Sequence, residues 1–191
     1  GISITSTILQ FPYKGHVINL LDTPGHQDFS EDTYRTLSAV DSAVMVLDAA
    51  KGIEPQTRKL FDVCHKRGIP IFTFINKMDR PARPPLELLD EIESILGMEP
   101  VPVNWPIGDG DRFRGVYDRH AAGIYLYERT MRSEKMAPEE FISLDNLHDR
   151  NLFSEAEYKE IEGDIQLLDG LDIKFDAAKL HTMKQTPVFF G

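Results

Sequence analysis

The sequence predicts an α/β chain built on a mixed, mostly parallel sheet flanked by helices. Three observations predict it. Continuous apolar runs of strand length recur at 42–49 and 70–76, stretches with apolar residues at i, i+3, i+4 and i+7 stand between and after them, and glycines stop those stretches at Gly68 and Gly97. Strands alternating with helices lead to a sheet covered on both faces.

Each element follows in order. Residues 2–11 and 16–22 are β-rich and flank "PYKGH", whose Gly15 suits a tight reversal, so they predict a hairpin. Over 28–40, Phe29, Thr33, Thr36, Leu37 and Val40 share a helical face, and "SAVMVLDA" then predicts a buried strand. Thr57, Leu60, Phe61 and Cys64 place a helix before Gly68, and "PIFTFIN" predicts a second buried strand. Leu89, Ile92 and Leu96 give 85–96 an inward helical face. After Gly97 the rhythm breaks. The Pro- and Gly-rich text offers short β pieces at 101–104, 113–117 and 123–127, which predicts an α+β insertion over 98–185. Within it, Ser154 and Glu157 form a capping-box pattern, with Phe153 and Tyr158 as a staple and Ile161, Ile165 and Leu168 facing inward. Trp105, Tyr117, Tyr125 and Tyr127 are expected in the insertion's own small core. The closing "TPVFFG", 186–191, predicts a return to the first domain, which otherwise spans 1–97.

Composition narrows the function. A net charge of -10 on 191 residues disfavours non-specific nucleic-acid binding, and direct DNA binding is not expected. The single cysteine, Cys64, excludes an internal disulfide and sits at a core position, which suits a reducing cytoplasm. No apolar run approaches the about 20 residues of a membrane span. The first residues, "GISITSTILQ", are already strand-like, so the chain is expected to be a piece of a larger fold. Histidines 16, 65, 120, 148 and 181 show no metal-ligand spacing.

In sheets of this kind ligands sit beyond the carboxyl ends of the strands. The second hairpin strand ends in Asp22-Thr23-Pro24-Gly25-His26. A carboxylate there can hold magnesium through water, and a glycine three residues on lets a backbone N–H approach a phosphate oxygen. D-x-x-G alone is weak, arising by chance in about one of two chains this long, and taken singly it reads as a turn. "PIFTFIN" ends in Asn76-Lys77-Met78-Asp79, and N-K-x-D is expected by chance in only about one chain in forty. A carboxylate at Asp79 can accept both hydrogens of the guanine N1 and N2 edge, a donor pair that adenine lacks. Asn76 would brace the loop and the Lys77 stem would cover the base. Ser3, in a Ser/Thr-rich strand, could offer a hydroxyl to the same magnesium or be purely structural.

Together these residues resemble the translational GTPases: residues 1–5 look like the end of their switch one, "DTPGH" like switch two and "NKMD" like their guanine motif. "DTPGHQDFSEDTYRTLSAVD", "DAAKGIEPQTRKL", "PPLELLDEIES" and "NWPIGDGDRFRGVY" are similar to the branch of that family that acts in termination. Elongation factor G reads differently after "DTPGH". The likeness is dense over 1–130 and at 186–191 and thin over 131–185. It departs at Ser3, where the family has threonine, and at Asn104, where threonine is expected.

The resemblance implies a P-loop-type GTPase domain that binds GTP or GDP with Mg2+ and hydrolyses GTP on the ribosome, to release a class I, stop-codon-reading release factor. The implied nucleotide contacts are Asp22, Thr23, Pro24, Gly25, His26, Asn76, Lys77, Met78 and Asp79, the metal contacts Ser3 and Asp22, and the water-aiming residue His26. No glycine here precedes a lysine, so G-x-x-x-x-G-K-[ST] is absent. The first strand and phosphate loop are expected upstream, and these 191 residues alone are expected to bind GTP weakly or not at all. A non-hydrolysing GTP switch, a ribosome-docking module and an elongation-factor-G-like GTPase are the alternatives.

Overall fold

The computed structural model describes residues 7–22, 33, 35–127, 139–148 and 152–191. Strands β1 (Thr7–Tyr13) and β2 (His16–Asp22) form an antiparallel hairpin in register from Thr7↔Asp22 to Tyr13↔His16. It turns at Lys14 and Gly15, both at positive φ. Beyond it Thr33, Arg35 and Thr36 are helical, and Leu37 donates its N–H to the Thr33 carbonyl at 2.9 Å.

The central sheet holds β3 (Ala43–Asp48), β4 (Ile71–Asn76), β5 (Glu99–Pro102) and β10 (Gln185–Phe190) in the order β3-β4-β10-β5, all parallel. Helix α1 (Pro55–Arg67) begins on a proline, which loses nothing where the N–H has no helical partner, and ends on Gly68 at φ 65. Helix α2 (Pro85–Glu91) runs into a π turn over Ile92–Leu96, closed by Gly97 at φ 68. Phe61 and Cys64 of α1 and Leu88, Leu89, Ile92 and Leu96 join Leu47, Ile71 and Ile75 of the sheet in one core. Cys64 is buried as expected, and burial pushes its thiol above the ordinary range.

The structure departs from expectation in several places. The 42–49 run predicts a strand buried on both faces, yet Val44 and Val46 are 61% and 56% exposed. Among the described residues, helices α1 and α2 join the core with Leu47, whereas nothing covers the alternate face of β3. The insertion, expected from residue 98, also begins later, because 99–102 is β5 of the central sheet. The prolines at 100 and 102 that break the sequence rhythm mark an edge strand, where proline is tolerated.

A second sheet follows, fully antiparallel: β6 (Asn104–Ile107), β7 (Gly115–Asp118), β8 (Gly123–Tyr127) and β9 (Glu139–Ser143), in chain order. Helix α3 (Glu155–Gly170) carries the predicted reciprocal cap, with Glu157 N–H donating to Ser154 Oγ and Ser154 N–H donating to Glu157 Oε2. The Phe153 and Tyr158 rings meet edge-on at 5.5 Å. Ile161 and Leu168 are buried and Ile165 half-buried. Trp105 and Tyr117 are buried, but in one core shared with the central sheet rather than in a small core of the insertion's own, whereas Tyr125 is half-buried and Tyr127 exposed. The short α4 (Ala177–His181) leads into β10. No helix among the described residues is long and apolar enough to cross a membrane.

Candidate guanine-nucleotide site

The site sits at the carboxyl ends of β3, β4 and β10. Asp48 and Asn76 are register partners at the ends of β3 and β4. Asn76 turns its carboxamide back and accepts the Lys77 N–H at 2.9 Å, and Lys77 follows at φ 72, a left-handed conformation that leads the chain out of the sheet. The Lys77 ammonium reaches Asp48 Oδ2 at 2.6 Å, so its stem spans the two strand ends. The Lys77 hydrogen bond, aided by the Ala50 N–H, holds the Asp48 carboxyl below its ordinary range.

Met78 is fully buried. Its N–H donates to the Gly191 carbonyl at 3.1 Å and its carbonyl accepts the Gly110 N–H at 2.8 Å. Asp79, next in the chain, is exposed at the tip of the turn. The arrangement puts a carboxylate on a loop anchored at both backbone groups of the preceding residue, which gives a planar hydrogen-bonding base edge a fixed acceptor.

The turn after β3 is fixed from the other side. Gly52 stands at φ +69 against Glu91, where any Cβ would collide with the Glu91 carboxylate and the Arg83 guanidinium. Glu91 accepts the Ile53 N–H and pairs with Arg83.

Of the predicted residues, Asn76, Lys77, Met78 and Asp79 are brought together as one loop. Asp22 is exposed at the last rung of the hairpin, in a sheet that shares no described ladder with the central one. Ser3, Thr23, Pro24, Gly25 and His26 lie outside the described residues. Two further residues that hold this loop escaped the sequence reading: Asp48 through Lys77 and Gly110 through Met78. Asp48 ends an apolar run, the same signal that picked out Asp22 and Asn76, so the sequence carries a sign of it.

The chain belongs to the elongation factor Tu GTP-binding domain family, whose model matches residues 1–191. Within it, the chain is similar to Peptide chain release factor 3 of Gloeobacter violaceus, 62% identical over 191 residues that make up all of this chain and 36% of that protein. It is 59% identical to Peptide chain release factor 3 of Nostoc punctiforme, covering all of this chain and 35% of that one. The chain thus spans about a third of the length of the curated relatives it matches. A crystal structure from Thermus thermophilus aligns with a TM-score of 0.70 at 21% identity, over all of this chain and 29% of that one, a likeness of fold.

Proposed function

We propose that this chain is part of a ribosome-dependent GTPase of translation termination in the cytoplasm. It would bind GTP or GDP and use hydrolysis to promote departure of a class I, stop-codon-reading release factor from the ribosome. The observation that carries the proposal is the guanine loop: Asp79 exposed at the tip of a loop whose base is tied by Met78 and by the Lys77–Asp48 pair. Names of relatives 59% to 62% identical over the whole chain support the termination assignment over an elongation-factor role.

In this reading Asp79 accepts the N1 and N2 hydrogens of guanine, Asn76 braces the loop and the Lys77 stem covers the ring face. Asp22 and Ser3 would hold Mg2+, and Gly25, within Thr23-Pro24-Gly25, would offer its N–H to the γ-phosphate. Among the described residues no three acidic, histidine or cysteine side chains gather as a metal cage. A nucleotide-bound magnesium needs only one or two protein ligands, so an exposed carboxylate at the end of β2 fits it. Bound magnesium neutralises charge on the phosphates; His26 orients the attacking water and need not remove its proton. The 191 residues contain no phosphate-loop motif, so by themselves they should bind GTP weakly or not at all and should not turn it over.

Ribosome-stimulated hydrolysis by the full-length protein tests this reading. Asp79→Asn should lose GTP turnover and gain turnover of xanthosine triphosphate, whose base presents the complementary edge. Retained GTP preference would undo the base assignment.

A further inference from the structure

The second sheet reaches the guanine loop by two routes, one through the end of β10 and one through the turn between β6 and β7. Asn104, the first residue of β6, aims its carboxamide at the last residue of β10: the Phe190 N–H donates to Asn104 Oδ1 at 2.7 Å, and Asn104 Nδ2 donates to the Phe190 carbonyl at 3.0 Å. A carboxamide offers the donor and acceptor of a peptide group. It therefore extends the β10 ladder beyond its last β5 pair, Val188↔Pro102. The Trp105 ring packs edge-on against Phe190 at 5.5 Å. The next residue, Gly191, donates to the Ile75 carbonyl at 2.9 Å and accepts the Met78 N–H. The second contact is Gly110, in the 3-10 turn Gly110–Arg112, whose N–H meets the Met78 carbonyl. Gly110 is buried at φ +53, so a side chain there strains the backbone that aims this N–H.

Both backbone groups of Met78 are thus held by segments that the second sheet fixes, one through Phe190 and Gly191 and one directly. We propose that Asn104 and Gly110 are positioning residues of the guanine site, through which the inserted sheet sets the placement of Asp79 and hence the discrimination of the guanine N2 amino group. The inference rests on the guanine reading of Asp79. A hydrogen bond to a charged acceptor depends steeply on placement, so slack in Met78 weakens selectivity more than it weakens binding of the phosphates.

The test is the ratio of dissociation constants for inosine diphosphate and guanosine diphosphate, measured on the full-length protein by competition with a fluorescent nucleotide. Inosine lacks the N2 amino group. Asn104→Ala and Gly110→Ala should each lower the ratio about tenfold, the scale of one charge-assisted hydrogen bond. Asn104→Ser, a milder truncation that retains a hydroxyl, should fall between them and the parent and serves where the alanine variants fold poorly. A purely structural role would weaken both nucleotides by the same factor, and that result, or an unchanged ratio, overturns the proposal. Asp79→Asn read in the same assay separates the two readings. A preference switched to xanthosine diphosphate upholds the guanine site whatever Asn104 does, and an unswitched one removes the ground of both.

Discussion

Lys77 commits its ammonium to Asp48 while its φ of 72 turns the chain away from the sheet, so one residue both closes the strand and ties its neighbour. Asp48→Asn keeps an acceptor for Ala50 but loses the charge pairing. Lys77 is 42% exposed on its side chain, so solvent screens the pair and its loss should cost no more than about 1 kcal/mol. The pair also makes stability depend on pH. Because Asp48 titrates below its ordinary 3.8 when folded, its contribution is complete above that value and disappears as pH falls through the lowered one. Urea titrations of the full-length protein should show the Asp48→Asn midpoint approaching the parent's as pH drops from about 5 to about 3. An Asp48→Asn deficit that stays constant over that range would assign the effect to packing. At this scale the Asn76–Asp79 turn is legible as a candidate site because its four residues are consecutive. Asn104 is not, since its partner Phe190 lies 86 residues away and no local pattern links them.

Among the elements, α3 shows how far local rules reach. Its cap was readable because Ser154 and Glu157 are three residues apart, and the structure completes both directions of the bond. The bonds from Ser154 also hold the Glu157 carboxyl below its ordinary range. Ser154→Ala should cost about 1 kcal/mol, seen as a lowered midpoint in thermal unfolding, with Ser154→Asp recovering most of it. An unchanged midpoint would mean that packing of Tyr158, Ile161 and Leu168 alone fixes the helix start. β5 is the opposite case. Its prolines argue against a strand locally, and only its place at the edge of the central sheet, set by β10, makes them tolerable. The π turn after α2 was equally hidden: the sequence shows a helical apolar face, and one widened turn leaves Ile92 and Leu96 both buried.

At the scale of the molecule, the alternation of apolar runs and amphipathic stretches identified the α/β class, while the covering of each face depends on elements far apart in sequence. Val44 and Val46 on β3, and Ile8, Leu9, Val17 and Leu20 on the hairpin, are exposed. Among the described residues β3 is paired on one side only. An open apolar edge pairs readily with another chain. A polypeptide of these 191 residues should therefore associate as its concentration rises, seen by light scattering, and Val44→Lys with Val46→Lys should suppress it; a stable monomer at high concentration would refute this. The position of β10 carries a consequence for synthesis. Among the described strands of the central sheet, the one latest in the chain lies between β4 and β5, joined to β4 by the buried Thr73–Thr186 hydroxyl pair at 2.9 Å. In the finished sheet β4 and β5 are two strand spacings, about 10 Å, apart, so without that strand no ladder joins them. The whole second sheet is translated between β5 and the strand that links it to β4. Completion of the core these sheets share is thus a late, long-range event.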